Sequence, residues 1–459
     1  MKTPFTFACV AACCLACLAP VSGSAQSWQT IDLFDQSSPA NYAQYGKAIS
    51  VDGSDRIFAA GENLNQSTGF PTYAVVRRSL DHGATWQTID TSSGWYRVKG
   101  MAVSRGGVIV IVGSARTNLA AYSWRTRLSR DGGVSWTTVD EPVYSEHTEA
   151  AAAAIGPDDA IYVAGFDLSN WIVRRSSDLG NTWTEVAKVP NVDGVVGMKL
   201  TPDGMILAGG DRYSRWQVAQ STNHLADWFW ADDWFPDASP GNYHARAIGQ
   251  DNYGNLIVVG GSPGGDSAAL NWVIRRSTNG GASWTIADQL QFPLVNNTQY
   301  GWGATAVVTD VGGRMWATGA DQAGIQTRVS SNNGVSWTDS DTFRYANKTT
   351  LSARAEGIAS DSLGNVFVIG WINPNSPERP RWILRKLDGP PRLSSLHLAG
   401  QIRFSWPTNA SGFVLQSATT LANGGNWQDS SLTPTEINGQ NVITVDATNA
   451  AGFFRLRQP

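Results

Sequence analysis

One octamer recurs along this chain and dictates its architecture. Ser79-Leu-Asp-His-Gly-Ala-Thr-Trp86 returns as Ser129-Arg-Asp-Gly-Gly-Val-Ser-Trp136 and Ser176-Ser-Asp-Leu-Gly-Asn-Thr-Trp183. Ser277 to Trp284 and Ser330 to Trp337 keep the pattern with Asn279 and Asn332 in the acidic position, and Ser221 to Trp228 is a worn copy without the glycine. The six copies lie 45 to 56 residues apart, so one supersecondary unit is repeated, and such units bury their apolar faces by stacking on one another. An Asx side chain can accept backbone N–H bonds two residues on, and glycine tolerates the positive φ of a tight turn. Strand-like runs such as Tyr73-Ala-Val-Val-Arg-Arg78 and Trp86-Gln-Thr-Ile89 flank the copies, which read as hairpin turns between the two outer strands of each unit.

A second feature precedes each hairpin: a turn, an apolar run and a glycine. Its copies span 55–61, 107–113, 159–165, 203–209, 254–260, 313–319 and 364–370, ending on Gly61, Gly113, Gly165, Gly209, Gly260, Gly319 and Gly370. Continuous apolar runs bounded by turn residues suit strands covered on both faces, and small-residue runs before them suit strands crowded near an axis. Seven four-stranded units stacked radially predict an all-β, seven-bladed β-propeller over residues 26–388. The last unit, Trp382 to Leu387, lacks an outer strand, whereas Trp28-Gln-Thr-Ile-Asp32 duplicates Trp86-Gln-Thr-Ile-Asp90. Residues 27–32 are therefore expected to complete blade seven. Residues 389–392, Gly-Pro-Pro-Arg, read as a linker, and 393–459 as a small C-terminal β-sandwich.

The apolar stretch Phe5 to Val21 after Lys2, closed by Gly23 and Ala25, reads as a signal peptide over 1–25, with Cys13 as a lesser, lipoprotein-type alternative. All four cysteines fall inside it, so the mature chain is expected to rely on packing rather than disulfides. The expected product is secreted, with no membrane span, no cofactor and a monomeric state. With 34 basic against 38 acidic residues, nothing points to nucleic acid.

The octamers resemble the Asp box, or bacterial neuraminidase repeat, and the tail resembles the Ig- or fibronectin-like modules of secreted bacterial proteins. In Asp-box families the boxes lie away from the ligand, which implies structural turns here. Sialidases in that family use three arginines, a tyrosine–glutamate pair, an acid/base aspartate and an F/Y-R-I-P signature. The nearest string, Asp55-Arg-Ile-Phe58, lacks the proline and falls in an inner turn.

A site is expected on the opposite face, at the mouth of the ring. Alignment of the seven units puts Lys47, Lys99, Ala151, Val196, Arg246, Thr305 and Glu356 at equivalent positions of the innermost strands. Converging cations call for an anionic ligand such as a uronic or sialic acid carboxylate, or for neutralisation by Glu356. Loops on that face add Trp95, Tyr144, Glu146, His147, Glu149, Asp232, Asp233, Tyr243, His244, Trp302 and Arg354. Ligand binding is expected from Lys47, Lys99, Arg246, Arg354, Trp95 and Trp302. Chemistry, if any, is expected among Tyr144, Glu146, His147, Tyr243, His244 and Glu356; no metal cluster has ligand spacing. Three readings stay open: an extracellular glycan-binding propeller, a glycoside hydrolase with paired carboxyls, and a polysaccharide lyase in which a cation neutralises a uronate while tyrosine or histidine moves the proton. Arginine recurs in six units (Arg77, Arg127, Arg174, Arg275, Arg328, Arg385), which marks a structural role.

Overall fold

The computed structural model describes residues 27–35, 42–65, 70–116, 122–144, 148–167, 169–190, 193–202, 204–210, 215–223, 225–234, 243–264, 269–291, 303–321, 323–347, 353–374, 379–407, 413–420, 426–447 and 452–457. The expected signal peptide, 1–25, and Glu146, His147 and Trp302 lie outside them. The chain divides between Asp388 and Gly389 into two compact units.

In the first unit, the described residues form seven four-stranded antiparallel sheets. Their inner strands are Tyr42–Val51, Trp95–Val103, Glu149–Ile155, Asp193–Thr201, His244–Gln250, Gly303–Thr309 and Ala353–Ser360, heading blades 1 to 7. Each inner strand packs on the next, and the seventh packs back on the first, so the sheets close into a ring. In blade 7 the fourth strand is Gln29–Phe34, which pairs antiparallel with Arg381–Leu387. Phe34 packs edge-on against Trp382 of blade 7 at 5.6 Å, and Trp28, just before the strand, against Trp316 of blade 6 at 6.2 Å, so this segment is held by packing as well as by pairing.

The octamers are self-satisfied turns. Ser79 Oγ accepts the Gly83 N–H at 2.9 Å, while Asp81 accepts the Thr85 N–H at 2.8 Å and the Thr85 hydroxyl at 2.6 Å. The Trp86 indole N–H closes the turn on the Gly83 carbonyl at 3.1 Å. Four other copies repeat the tryptophan bond, from Trp136, Trp183, Trp284 and Trp337. In the worn copy Leu225 occupies the glycine position at φ 72°, yet its N–H still reaches Ser221 Oγ at 3.1 Å.

The recurring arginines join blades. Arg127 pairs with Asp90, Arg174 with Asp140, Arg275 with Asp232, Arg328 with Asp288 and Arg385 with Asp341, at 2.6 to 3.1 Å, and Arg77 pairs with Asp32. Each aspartate sits on the outer strand of the preceding blade. Beneath these pairs, core clusters draw residues from two neighbouring blades; one holds Trp171 and Val173 of blade 3 with Met205 and Leu207 of blade 4.

In the second unit, one sheet orders Ser394–Leu398, Gln401–Pro407, Gln440–Asp446 and Thr435–Ile437, and another orders Gln428–Asp429, Val414–Ala418 and Phe453–Arg457. Phe404, Trp406 and Ile443 of the first sheet meet Leu415 of the second in one buried cluster.

Candidate functional site

All seven inner strands carry a β-bulge at the same place. The register slips between Gly46 and Ala48, Val98 and Gly100, Ala150 and Ala152, Val195 and Gly197, Ala245 and Ala247, Ala304 and Ala306, and Ala355 and Gly357. The extra residues are therefore Lys47, Lys99, Ala151, Val196, Arg246, Thr305 and Glu356. A bulge leaves one residue unpaired and re-aims its side chain, so seven side chains are released from sheet pairing on the half of the ring opposite the octamers.

The glycines that close the apolar runs lie inside the second strand of each blade and make the bulges possible. A Cβ on Gly61 would lie 2.3 Å from the Tyr45 carbonyl oxygen, and one on Gly260 would lie 1.9 Å from that of His244. The same collision recurs at Gly113, Gly165, Gly209, Gly319 and Gly370. Only hydrogen fits where the bulged strand presses its backbone onto its neighbour.

The charged bulge residues and their neighbours are coupled into one network, by ion pairs on blades 1, 2, 3 and 7 and through space to Arg246 on blade 5. Lys47 lies 3.7 Å from both Glu62 and Glu356, and Arg354 lies 3.3 Å from Glu356. Arg97 reaches Glu62 at 3.3 Å, and Lys99 reaches Glu149 at 3.0 Å. Each carboxylate has a further anchor on a neighbouring element. The Val98 N–H donates to Glu62 at 2.8 Å, the Ser114 hydroxyl to Glu149 at 2.7 Å, and the Trp371 indole N–H to Glu356 at 3.2 Å.

These contacts set the charge states. Burial opposes the Lys99 ammonium, but Glu149 outweighs it and holds the pKa above the usual lysine value. Burial would raise the Glu356 carboxyl; Arg354 and Lys47 overcome this and keep it below its ordinary range. Arg246 differs from the other cations. Desolvation, then Arg354, lower its pKa to about 10, against the opposing charge of Glu356. Among the described residues it makes no ion pair within 4 Å, and its buried Nε has no hydrogen-bond partner. His244, two residues before it, has its pKa lowered to about 4 by desolvation and by Arg246, so the imidazole is neutral at pH 7. Five cations (Lys47, Arg97, Lys99, Arg246, Arg354) thus face three carboxylates (Glu62, Glu149, Glu356) in this network, an excess of positive charge among its described residues.

The structure brings Lys47, Lys99, Arg246, Arg354, Glu356 and His244 into this network and holds three other candidates apart. Tyr144 accepts a hydrogen bond from Arg174 at 3.3 Å beside the outer-strand ion pair, and its pKa is pushed up to about 12 by burial. Tyr243 is buried against Trp234 at 5.5 Å. Trp95 is buried, with its indole N–H on Ser92 at 3.0 Å. All three fill seams between blades, because a large ring next to an inner strand gains more from the core than from water. Asp232 and Asp233 are likewise committed, to Arg275 and Arg215. Sequence reasoning missed Glu62 and Trp371; each directly follows the glycine that closes an apolar run, Gly61 and Gly370, and that shared offset was the available signal.

No protein-family model matches this sequence, and no curated protein matches it. Solved structures do. A GH74 xyloglucanase from Xanthomonas campestris is 13% identical with a TM-score of 0.50, over 83% of this chain and 59% of that one. A virginiamycin B lyase from Staphylococcus aureus is 13% identical with a TM-score of 0.50, over 79% and 100%. The structure of U3-55K gives 11% and 0.50, over 79% and 99%. The fold is a β-propeller. At such identities the likeness reaches no further than the fold, and function has to be argued from the mouth itself. No described helix is long and apolar enough to cross a membrane, and no group of described side chains could hold a metal ion.

Proposed function

We propose that the mouth of the propeller binds an acidic extracellular glycan, with a sugar carboxylate seated between Arg246 and Arg354 and the Lys47 and Lys99 side of the network beside it. The observation that carries this reading is Arg246, a desolvated guanidinium that a bulge frees from sheet pairing and that no described carboxylate answers within 4 Å. Desolvating such a group is costly, and an anion that supplies the missing hydrogen bonds recovers the cost on binding.

Aromatic side chains support a sugar as the bearer of the charge. Tyr45 and Trp371 meet edge-on at 5.6 Å next to Lys47, Tyr96 and Tyr122 stack at 4.6 Å beside Arg97, and Tyr42 meets Tyr73 at 6.2 Å. All six rings belong to blades 7, 1 and 2, where the ion pairs cluster. Blades 3 and 4 present Ala151 and Val196 at the same ring positions.

The test is a binding survey by affinity electrophoresis and calorimetry. Polygalacturonate, alginate, hyaluronan and sialylated oligosaccharides should bind, with affinity falling as salt rises, whereas neutral xyloglucan and arabinan should not. Arg246→Ala should weaken binding tenfold or more, about 1.4 kcal/mol. Equal retention of neutral and acidic polymers would refute the reading.

One observation favours a second reading, a sialidase-like hydrolase. Tyr45 is coupled electrostatically to Glu62 beside Arg97, and the mouth gathers three arginines. Burial, then Glu62, raise the Tyr45 pKa against Arg97, so the phenol stays protonated and would need a base to become a nucleophile. Release of free sialic acid from a sialoside, abolished by Tyr45→Phe, would establish this reading.

A further inference from the structure

Resting on the acidic-glycan reading, we infer that the His244–Arg246 segment is the centre of a β-elimination that cleaves 4-linked uronates. The two side chains lie on one inner strand, two residues apart, and His244 immediately precedes the Ala245–Ala247 register slip that releases Arg246. Among the described residues, neither side chain makes an ion pair or a hydrogen bond within the protein. The other described charges of this network, Lys47, Glu62, Arg97, Lys99, Glu149, Arg354 and Glu356, are each tied to an opposite charge. Lys47, Arg97 and Lys99 are taken up by carboxylates of the protein, and their geometry explains a stable rim; Arg354, shared with Glu356, lies next to Arg246. A base beside a cation, neither with a partner among the described residues, explains a reaction. Elimination needs that pair: one group to neutralise the uronate carboxylate so that C5–H becomes acidic, and one to accept the proton.

The step balances without a co-reactant. The neutral His244 imidazole takes the C5 proton, and the electron pair left on C5 delocalises into the carboxylate held by Arg246 and Arg354. That pair then forms the C4=C5 double bond as the C4–O bond breaks. The departing oxygen keeps the electrons of the broken bond and takes the proton from the imidazolium, which returns His244 to its starting form. Tyr45 is a poorer base for this work, since burial and Glu62 hold its proton in place.

The experiment incubates the purified full chain with polygalacturonate, alginate and hyaluronan, following near-ultraviolet absorbance of the unsaturated product, reducing ends, and binding in parallel. The expected result is binding of at least one polymer with absorbance and reducing ends rising together. His244→Gln should lower the rate by about 100-fold or more with affinity unchanged, and Arg246→Lys should weaken binding and rate together. Melting curves on each variant establish that it is folded. Binding without absorbance overturns the elimination and leaves the acidic-glycan reading standing. Reducing ends without absorbance overturn it in favour of hydrolysis. Failure of all three polymers to bind overturns both.

Discussion

Ala187 and Ala219 occupy, in the seam between blades 3 and 4, the two positions that hold an aspartate and an arginine in the other six seams. Both are buried in one apolar cluster with Trp171, Val173 and Leu207. Charge and counter-charge are absent together, and the seam closes by packing alone. A buried ion pair can be replaced by apolar groups at little cost, whereas losing one partner strands a charge.

The seams therefore make a quantitative test. Arg275→Ala should destabilise the propeller by about 3–5 kcal/mol, because Asp232 is left buried and unanswered. Adding Asp232→Ala should recover much of that loss, since the blade 3–4 seam already works in the Ala–Ala form. Denaturant titrations of the two singles and the double supply the cycle, and additive losses would refute this account.

Removal of residues 26–35 takes away the fourth strand of blade 7, the Asp32 partner of Arg77 and the packing of Phe34 on Trp382. The truncated chain should lose cooperative thermal unfolding and accumulate as insoluble protein, with exposed edges on blade 7 as the cause. A truncation that melts in one sharp transition would count against the closure.

Gly260→Ala drives a methyl group into the His244 carbonyl, 1.9 Å away, and into the Trp216 ring. Rigid backbone on one side and a buried indole on the other leave little room to yield. The expected cost is about 2 kcal/mol or more, with weaker acidic-glycan binding because the bulge carrying Arg246 shifts. Chemical denaturation and calorimetry on the same sample separate the two effects.

His244 makes stability depend on pH. Its folded pKa, about 4, lies below the unfolded value, about 6.5, so the unfolded chain takes up the proton first as pH falls. Stability should decline from about pH 6.5 towards pH 4, by up to roughly 3 kcal/mol from this group. Arg246, with Arg354 and Glu356 nearby, sets the surrounding charge. In His244→Gln the decline should be shallower, and superimposable pH–stability curves would rule out the assignment.

Glu356→Gln removes the carboxylate that Lys47 and Arg354 share. The variant should bind acidic polymers more tightly and unfold more easily, by about 1–3 kcal/mol, because Arg354 and Lys47 lose the carboxylate they share, Lys47 keeping Glu62. Unchanged affinity in 0.05 M salt would sink the electrostatic picture of the mouth.

The repeat period, the turn chemistry of Ser79 to Trp86 and the duplicate Trp28-Gln-Thr-Ile-Asp32 were legible because they are local: each depends on residues that stand next to one another in the chain. Alignment of the units likewise found Lys47, Lys99, Arg246 and Glu356, since equivalent places in a repeat carry equivalent offsets. What alignment cannot contain is the bulge, because it is a slip between two paired strands and exists only once they pair. Nor can it say which cation is already answered. Lys99 and Arg246 occupy the same offset, yet Glu149 meets one and no described carboxylate comes within 4 Å of the other. The sequence by itself determined the unit, its count and its turns. The tertiary ring decided which charges meet, because those partners sit on different blades and only closure brings them within reach.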